Sequence, residues 1–369
     1  MKILHIVPGL NEQTNGIARA AKRIVTEQVA LGHEVICVET REFVSSSPSN
    51  SHLELQLSNY DVAFVHSMWL PMTIRAARMV KAAGVKLVRM PHGCLDPKKV
   101  RGGWWKKLPV LLTLERRALK AADLTYVTCD AEAKWMRPWV GKIVNVPLGV
   151  DFGEEGQGRR SRSTADGLRV LFIGRMHPLK GLDVLLEAVE GLSRRDRSVA
   201  SPVELTIIGL DEKGMRARFE AWCAAKGIAS RVRFLGVVDE ATKIAEIDRC
   251  DLFCLPTLSE NFGIVVGEAM SRGKPVVTTD GATSWSQLPA ECGWYLDGYL
   301  KANHKRRVAM LTAALEEASH RHSSLNTHTS SLAQMGVESS KWVRANFDWT
   351  TNVRRLMAAI EEMTIGGAK

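Results

Sequence analysis

The sequence predicts an α/β protein with two doubly wound domains, each built on a parallel sheet, that face a central cleft. The chain has 369 residues, which is more than a domain with a single hydrophobic core usually contains and is a suitable length for two domains. Short apolar runs alternate with longer segments of helical spacing, the pattern of parallel strands joined by crossover helices. A stretch rich in glycine, serine and charge predicts a flexible linker at 151–167. The predicted domains are therefore 1–150 and 168–345, and a last helix in 346–369 packs back on the first domain.

In the first domain, six short apolar runs read as buried strands. They are Ile3–Val7, Glu34–Val38, Val62–His66, Lys86–Met90, Leu124–Thr128 and Ile143–Pro147. Between them, apolar residues at three- and four-residue spacing predict amphipathic helices. The helices are Ala18–Leu31, Met72–Ala83 and Leu108–Ala122. The first run is broken by Pro8, so it predicts a strand and not a signal peptide.

The second domain repeats this alternation of strand and helix. Its predicted strands are Arg169–Ile173, Glu204–Ile208, Arg231–Leu235, Leu252–Leu255 and Pro275–Thr278. Its predicted helices are Gly181–Leu192, Lys213–Lys226 and Ile264–Arg272. The polar stretch Ser319–Ser331 predicts a surface loop, and Trp349–Met363 predicts an amphipathic helix.

Charge and cysteine usage narrow the class of protein. The net charge of +10 favours anionic partners and leaves nucleotides, anionic lipids and nucleic acids open. The seven cysteines show neither Cys-x-x-Cys pairs nor zinc-ligand spacing, which favours reduced thiols and a cytoplasmic location. No apolar run reaches the length of a membrane span.

The most informative motif joins two carboxylates to a glycine-bearing turn that enters an apolar helix. Glu260 and Glu268 lie on either side of this turn, and Arg175 and Lys180 follow an earlier strand. A helix N-terminus attracts anions, two cations neutralise a diphosphate, and carboxylates accept hydrogen bonds from hydroxyl groups. These features together suit a nucleotide-diphosphate sugar. The alternatives are solvated charges on a loop and an acidic residue that stabilises the helix dipole by about 0.3–1 kcal/mol.

Two further observations concern the phosphates. The loop after the first strand contains Gly16, which would let a phosphate approach the backbone at a helix start. An ordinary strand-to-helix turn has the same appearance, so this loop alone is a weak signal. No Asp-x-Asp motif suggests a chelated divalent cation. We therefore expect no metal and no cofactor, with Arg175 and Lys180 neutralising the charge.

These motifs resemble those of the GT-B glycosyltransferases of family 4, which are retaining enzymes that use nucleotide sugars. The resemblance covers nearly the whole chain. It is carried by Gly174-Arg175-x4-Lys180-Gly181, by Leu148-Gly149-Val150-Asp151 and by the Glu260-x7-Glu268 block with its flanks. It implies two Rossmann-like domains, with the acceptor on the first and the donor on the second.

The resemblance also implies roles for individual residues. Arg175 and Lys180 would hold the diphosphate, Glu268 the ribose, and His92 would face the transferred sugar. Glu260 would bind the sugar hydroxyls together with backbone N–H groups. These groups belong to Asn261, Phe262, Gly263 and Ile264. The implied partners are a UDP- or GDP-linked donor and a glycan or lipid-linked acceptor of cell-surface polysaccharide synthesis, without nucleic acid. For His92, packing at a strand end remains the alternative.

A basic segment with two tryptophans lies in the first domain. Its residues are Lys98, Lys99, Arg101, Trp104, Trp105, Lys106 and Lys107. Tryptophan favours membrane–water interfaces, and each lysine or arginine near anionic lipid contributes about 1 kcal/mol. The hypothesis is peripheral docking on the cytoplasmic face of a membrane. The alternative is a solvated basic loop whose tryptophans pack on their own domain.

Other functions remain open on the sequence alone. One is a nucleotide-sugar epimerase or phosphorylase on the same twin-domain scaffold, and another is a non-catalytic module that binds membrane or nucleic acid. A dinucleotide dehydrogenase is disfavoured because neither early loop has a complete Gly-x-Gly-x-x-Gly motif.

Overall fold

The computed structural model describes residues 1–11, 15–45, 57–153, 167–194, 202–212, 214–323 and 331–365. The chain divides into two compact units. The first comprises Met1–Gly149 together with Phe347–Lys369, and the second comprises Val150–Asn346. Most of the predicted linker, residues 154–166, lies outside the described residues.

The first unit contains a six-stranded parallel sheet in the order β2-β1-β3-β4-β5-β6. Its strands are β1 (Lys2–Val7), β2 (Glu34–Glu39), β3 (Val62–His66), β4 (Lys86–Met90), β5 (Leu124–Val127) and β6 (Ile143–Asn145). Its helices are α1 (Gly16–Ala30), α2 (Thr40–Ser45), α3 (Pro71–Ala82), α4 (Pro97–Arg101), α5 (Trp104–Val110), α6 (Arg116–Lys120) and α7 (Asp130–Met136). Strand order reverses between β1 and β3, which places a topological switch point there.

The second unit contains another six-stranded parallel sheet, in the order β12-β11-β10-β7-β8-β9. Its strands are β7 (Leu168–Ile173), β8 (Val203–Ile208), β9 (Val232–Gly236), β10 (Leu252–Cys254), β11 (Val276–Thr279) and β12 (Gly293–Leu296). Its helices are α8 (Leu182–Ser193), α9 (Met215–Ala225), α10 (Glu240–Arg249), α11 (Ile264–Ser271), α12 (His304–Ser323) and α13 (Leu332–Asn346). The switch point of this sheet lies between β7 and β10.

The last helix, α14 (Trp349–Ile365), belongs to the first unit. Its buried face carries Leu356 and Ile360, which are fully shielded from solvent. Trp349 packs so closely on Gly149 that a Cβ there would lie 2.3 Å from the indole ring. Because position 149 is a glycine, the segment that ends at Gly149 can pass close to the start of α14.

Two predictions of local structure need correction, and several elements were not predicted. The predicted loop Ser319–Ser331 is wrong for its first five residues, which extend α12 to Ser323, and residues 324–330 lie outside the described part. The predicted helix Leu108–Ala122 begins earlier, at Trp104, and contains a π-helical turn at Leu111–Glu115. Strand β12 was not predicted, and neither were helices α2, α4, α7, α10, α12 and α13. No helix within the described ranges has the length and apolarity needed to cross a membrane.

Candidate active site

The candidate site of the second unit lies at the carboxyl-terminal edge of its sheet. Arg175 and Lys180 follow β7, Glu260 follows β10, and the loop containing Gly281 follows β11. These three strands are neighbours in the sheet. In open α/β sheets, ligands bind outside the carboxyl ends of the strands at the switch point, which here separates β7 from β10.

Lys180 and Glu260 form an ion pair across this switch point. Their side chains are 12% and 22% exposed. Lys180 ends a short 3-10 turn and is followed by Gly181, whose φ of +68° and whose contact with the Pro256 carbonyl leave no room for a side chain. The Glu260 backbone N–H donates to the Gly281 carbonyl at 2.8 Å. Both charged residues are thus fixed by backbone contacts of the sheet edge.

The turn after Glu260 leads into α11. The Asn261 N–H donates to Glu260 Oε1 at 3.2 Å. Phe262 is buried beside Trp285, with ring centroids 5.6 Å apart, and the Trp285 indole N–H donates to the Phe262 carbonyl. Gly263 adopts φ +67° and directly precedes Ile264, the first residue of α11. The first turn of a helix carries N–H groups without intrahelical acceptors, so this turn can receive an anion.

Arg175 lies in a different setting from Lys180. Its guanidinium pairs with Glu212 at 2.7 Å, and its side chain is 52% exposed. Glu212 follows β8, the neighbour of β7 on the side away from β10. The two cations therefore have different acidic partners, and Arg175 is the more solvated of the two.

Glu268 is buried and accepts a hydrogen bond from Lys243 Nζ at 3.0 Å. Lys243 lies on α10 and is also buried, and it contacts Glu240 at 2.8 Å. The structure thus gives Glu268 a partner that the motif did not indicate. Lys243 is the residue of this site that sequence reasoning missed.

We expect Glu268→Gln to lower the free energy of unfolding by about 3 kcal/mol, because the charge of Lys243 would stay buried with one partner fewer. Chemical denaturation would measure the change. Glu240→Gln is the matched control, since its carboxylate is 60% exposed and should contribute less than about 1 kcal/mol. Equal losses in the two variants would contradict this account of the pair.

In the first unit, His92 ends a chain of three hydrogen-bonded histidines. His92 Nε2 lies 2.9 Å from His66 Nδ1, and His66 Nε2 lies 2.9 Å from His5 Nδ1. Burial lowers the pKa of His5 to about 4 and holds the pKa of His66 well below its usual value. Burial and then the charge of Lys99 lower the pKa of His92 to about 3. All three rings are therefore neutral at pH 7.

The turn that carries His92 is held by a buried carboxylate. His92 has φ +55°, a conformation that is uncommon for residues other than glycine. Glu132, buried on α7, accepts the Gly93 N–H and also the Thr128 N–H at 2.9 Å. Left-handed backbone of this kind is concentrated at functional sites. The sequence did not indicate that Glu132 would support this turn.

Gly16 is the first residue of α1. The helix is capped by Asn15, whose side chain accepts the Ile17 N–H at 3.0 Å. A Cβ added at Gly16 meets no atom within 4 Å. The described residues therefore leave open space there, and residues 12–14 of the same loop lie outside the described part.

Models of known protein families match both halves of the chain. The model for glycosyl transferases group 1 matches residues 157–324, and that for glycosyltransferase family 4 matches residues 41–154. The chain belongs to glycosyltransferase family 4. The prediction of that family is thereby confirmed.

Curated relatives of this family 4 protein are similar over part of its length. The phosphatidyl-myo-inositol mannosyltransferase of Mycobacterium leprae is 29% identical over 65% of this chain and 59% of its own. The D-inositol 3-phosphate glycosyltransferase of Actinosynnema mirum is 32% identical over 52% of this chain and 48% of its own. The aligned regions thus span only about half the length of these relatives.

Solved structures establish the fold of the family 4 chain. Sucrose-phosphate synthase from Thermosynechococcus elongatus matches with a TM-score of 0.75 and 18% identity, over 99% of this chain and 100% of its own. Anabaena HepE in complex with UDP-glucose matches with a TM-score of 0.69 and 17% identity, over 98% and 100% of the two chains. The predicted two-domain α/β fold of the GT-B class is confirmed.

Proposed function

We propose that this protein is a retaining glycosyltransferase, which moves a sugar from a nucleotide-diphosphate sugar to a hydroxyl group of a glycan or lipid-linked acceptor. The observation that carries the proposal is the Lys180–Glu260 pair at the switch point, next to the N-terminus of α11. This place brings together a cation, backbone amides that can bind an anion, and a carboxylate. Epimerase, phosphorylase and non-catalytic functions have no comparable support.

In the proposed complex, the diphosphate replaces Glu260 as the anionic partner of Lys180. The Lys180 ammonium group would bind the phosphate oxygens instead of Glu260, and the backbone N–H groups in the first turn of α11 would donate to the same oxygens. Glu260 would then be released to accept hydrogen bonds from sugar hydroxyls. Arg175, on its exposed loop, would approach the diphosphate from the solvent side.

The reaction exchanges one bond at the anomeric carbon for another. The bond to the terminal phosphate oxygen breaks, and the nucleoside diphosphate leaves with the electron pair. The acceptor oxygen forms the new bond on the same face, and its proton passes to the departing phosphate oxygen. The protein contributes positioning and charge stabilisation, with Lys180 and Arg175 stabilising the leaving group without a metal.

Two comparisons support the chemical class of the partners. HepE was solved with UDP-glucose, which supports a UDP-linked donor here. The names of two relatives refer to phosphatidyl-myo-inositol and D-inositol 3-phosphate, which supports a hydroxyl acceptor and, in the first case, a lipid-linked one. The seven cysteines are free thiols, which favours a cytoplasmic reaction. A role in cell-surface polysaccharide synthesis fits such an acceptor.

A donor screen tests the function. The purified protein is incubated with UDP- and GDP-linked sugars and with lipid-linked or soluble acceptors, and release of nucleoside diphosphate is measured. Proton NMR of the product then reports the anomeric configuration. We expect acceptor-dependent release with one donor and an unchanged configuration. An inverted product would contradict the retaining mechanism, and the absence of release with every donor would contradict sugar transfer.

We further propose that the basic segment docks on anionic membrane. It forms α4 and α5 instead of a loop, and Trp104 and Trp105 are 58% and 62% exposed. Leu108 and Leu112, which follow Trp104 at four-residue spacing, are exposed as well. Exposed tryptophan and leucine among lysines suit the interface of an anionic bilayer.

Replacing both tryptophans, Trp104→Ser with Trp105→Ser, should weaken binding to vesicles of phosphatidylglycerol and phosphatidylcholine by about tenfold or more. Co-sedimentation would measure it. Leu210→Ser with Val237→Ser is the matched control, because these exposed apolar residues lie in the second unit. Unchanged binding of the tryptophan variant would contradict docking through this segment.

A further inference from the structure

The histidine chain of the first unit begins at a buried glutamine whose amide orientation is fixed. Gln28 Oε1 lies 2.8 Å from His5 Nε2, and Gln28 Nε2 donates to Met357 Sδ at 3.4 Å. Gln28 and Met357 are both buried. A thioether sulfur can only accept, so the amide nitrogen must face Met357 and the carbonyl oxygen must face His5. Met357 lies on α14, 329 residues beyond Gln28.

This orientation sets the direction of every hydrogen bond in the chain. Because the amide oxygen accepts, His5 carries its proton on Nε2 and offers Nδ1 as an acceptor. A neutral imidazole has one donor and one acceptor nitrogen. His66 must therefore donate from Nε2 to His5 and accept on Nδ1, and His92 must donate from Nε2 to His66. The lone pair of His92 is left on Nδ1.

The opposite orientation of the Gln28 amide would reverse each step. The amide nitrogen would then donate to His5 Nε2, and the proton of His92 would lie on Nδ1. The two arrangements contain the same atoms and differ in which end of the amide faces Met357 and, as a consequence, in which nitrogen of each histidine carries the proton. Among the described residues, none forms a hydrogen bond with His92 Nδ1. The amide is thus the element that decides the tautomer.

We propose that Gln28, held by Met357, is a positioning residue that locks His92 in the Nε2–H tautomer. His92 then presents Nδ1 as an acceptor for a sugar hydroxyl and rejects a ligand group that can only accept. The identity of that hydroxyl rests on the proposed function, whereas the lock depends on the geometry of the first unit alone. The last helix therefore has a role beyond packing, since it supplies the atom that orients the amide.

The lock is tested on the whole protein labelled with ¹⁵N-histidine, without substrate. Two-bond ¹H–¹⁵N spectra at pH 7 distinguish a proton on Nδ1 from one on Nε2. We expect His5, His66 and His92 to be neutral Nε2–H tautomers in the natural protein. A His92 protonated on Nδ1, or on both nitrogens, would overturn the proposal.

Variants then connect the tautomer to the amide. Gln28→Met and Met357→Leu should shift His92 towards a mixture of tautomers, and Gln28→Glu should keep the Nε2–H form at a pH where the introduced carboxyl is ionised and can only accept. Met363→Leu is the control, because Met363 is buried on the same helix. An unchanged His92 in both Gln28→Met and Met357→Leu would overturn the lock.

Activity assays separate this inference from the proposed function. Loss of the tautomer should lower kcat for sugar transfer in Gln28→Met, and Gln28→Glu should restore it in part. If the natural protein shows the three Nε2–H tautomers but transfers no sugar with any donor, the proposed function fails while the lock stands. If it transfers sugar with His92 protonated on Nδ1, the lock fails while the proposed function stands.

Discussion

Lys180→Ala is expected to lower kcat for sugar transfer by about 10²- to 10³-fold. Lys180 is the less exposed of the two cations, and its Nζ lies at the switch point beside Glu260. Removing it takes away the charge that would stabilise the departing diphosphate in a partly shielded site, where such a charge is most effective. Release of nucleoside diphosphate under saturating donor measures the loss.

Arg175→Ala is the matched control for Lys180→Ala. The Arg175 side chain is half exposed and paired with Glu212, so solvent screens its charge, and we expect a loss of about tenfold. The melting temperature of both variants verifies that the fold is kept. A Lys180→Ala protein with nearly natural turnover, or one no slower than Arg175→Ala, would contradict the proposed role of Lys180.

Glu260→Gln is expected to lower kcat by about 10²-fold, because charge-assisted hydrogen bonds to the sugar hydroxyls would become neutral ones. Its effect on binding should be the opposite of that of Lys180→Ala. Without the competing carboxylate, Lys180 is free to bind phosphate, so the free nucleoside diphosphate should bind as tightly as before or more tightly. Calorimetric titration with UDP and GDP measures this affinity.

Glu212→Gln controls for a general loss of negative charge, since Glu212 contacts Arg175 and not Lys180. It should leave kcat within about threefold of the natural value. Glu260→Gln could also weaken nucleoside diphosphate binding as strongly as Lys180→Ala. That result would contradict the proposal that Lys180 binds the phosphates and Glu260 binds the sugar.

The sheets could be predicted because buried parallel strands are short apolar runs. Five of the six strands of the second unit were found in this way. Strand β12 was missed because Gly293–Leu296 is only four residues long, begins with glycine and lies at the sheet edge, where it is mostly half-buried. The π-helical turn within Trp104–Lys120 has no periodic signature of its own.

The candidate site was predictable as far as its residues follow strand ends. Lys180 and Glu260 each lie in the loop that follows a buried strand, and parallel strands bring such loops to one edge. The partner of Glu268 was not predictable, because Lys243 lies 25 residues away on another helix and only tertiary packing joins them. His5 did leave a signal, since a polar residue within an apolar strand needs a buried partner.

The most direct test of the central claim is a crystal structure of the protein soaked with a UDP-linked or GDP-linked sugar. The account predicts diphosphate oxygens within hydrogen-bond distance of Lys180 Nζ and of the first-turn amides of α11, with the sugar hydroxyls against the Glu260 carboxylate. A nucleotide sugar bound away from the carboxyl-terminal edge of the second sheet, with the Lys180–Glu260 pair undisturbed, would contradict it.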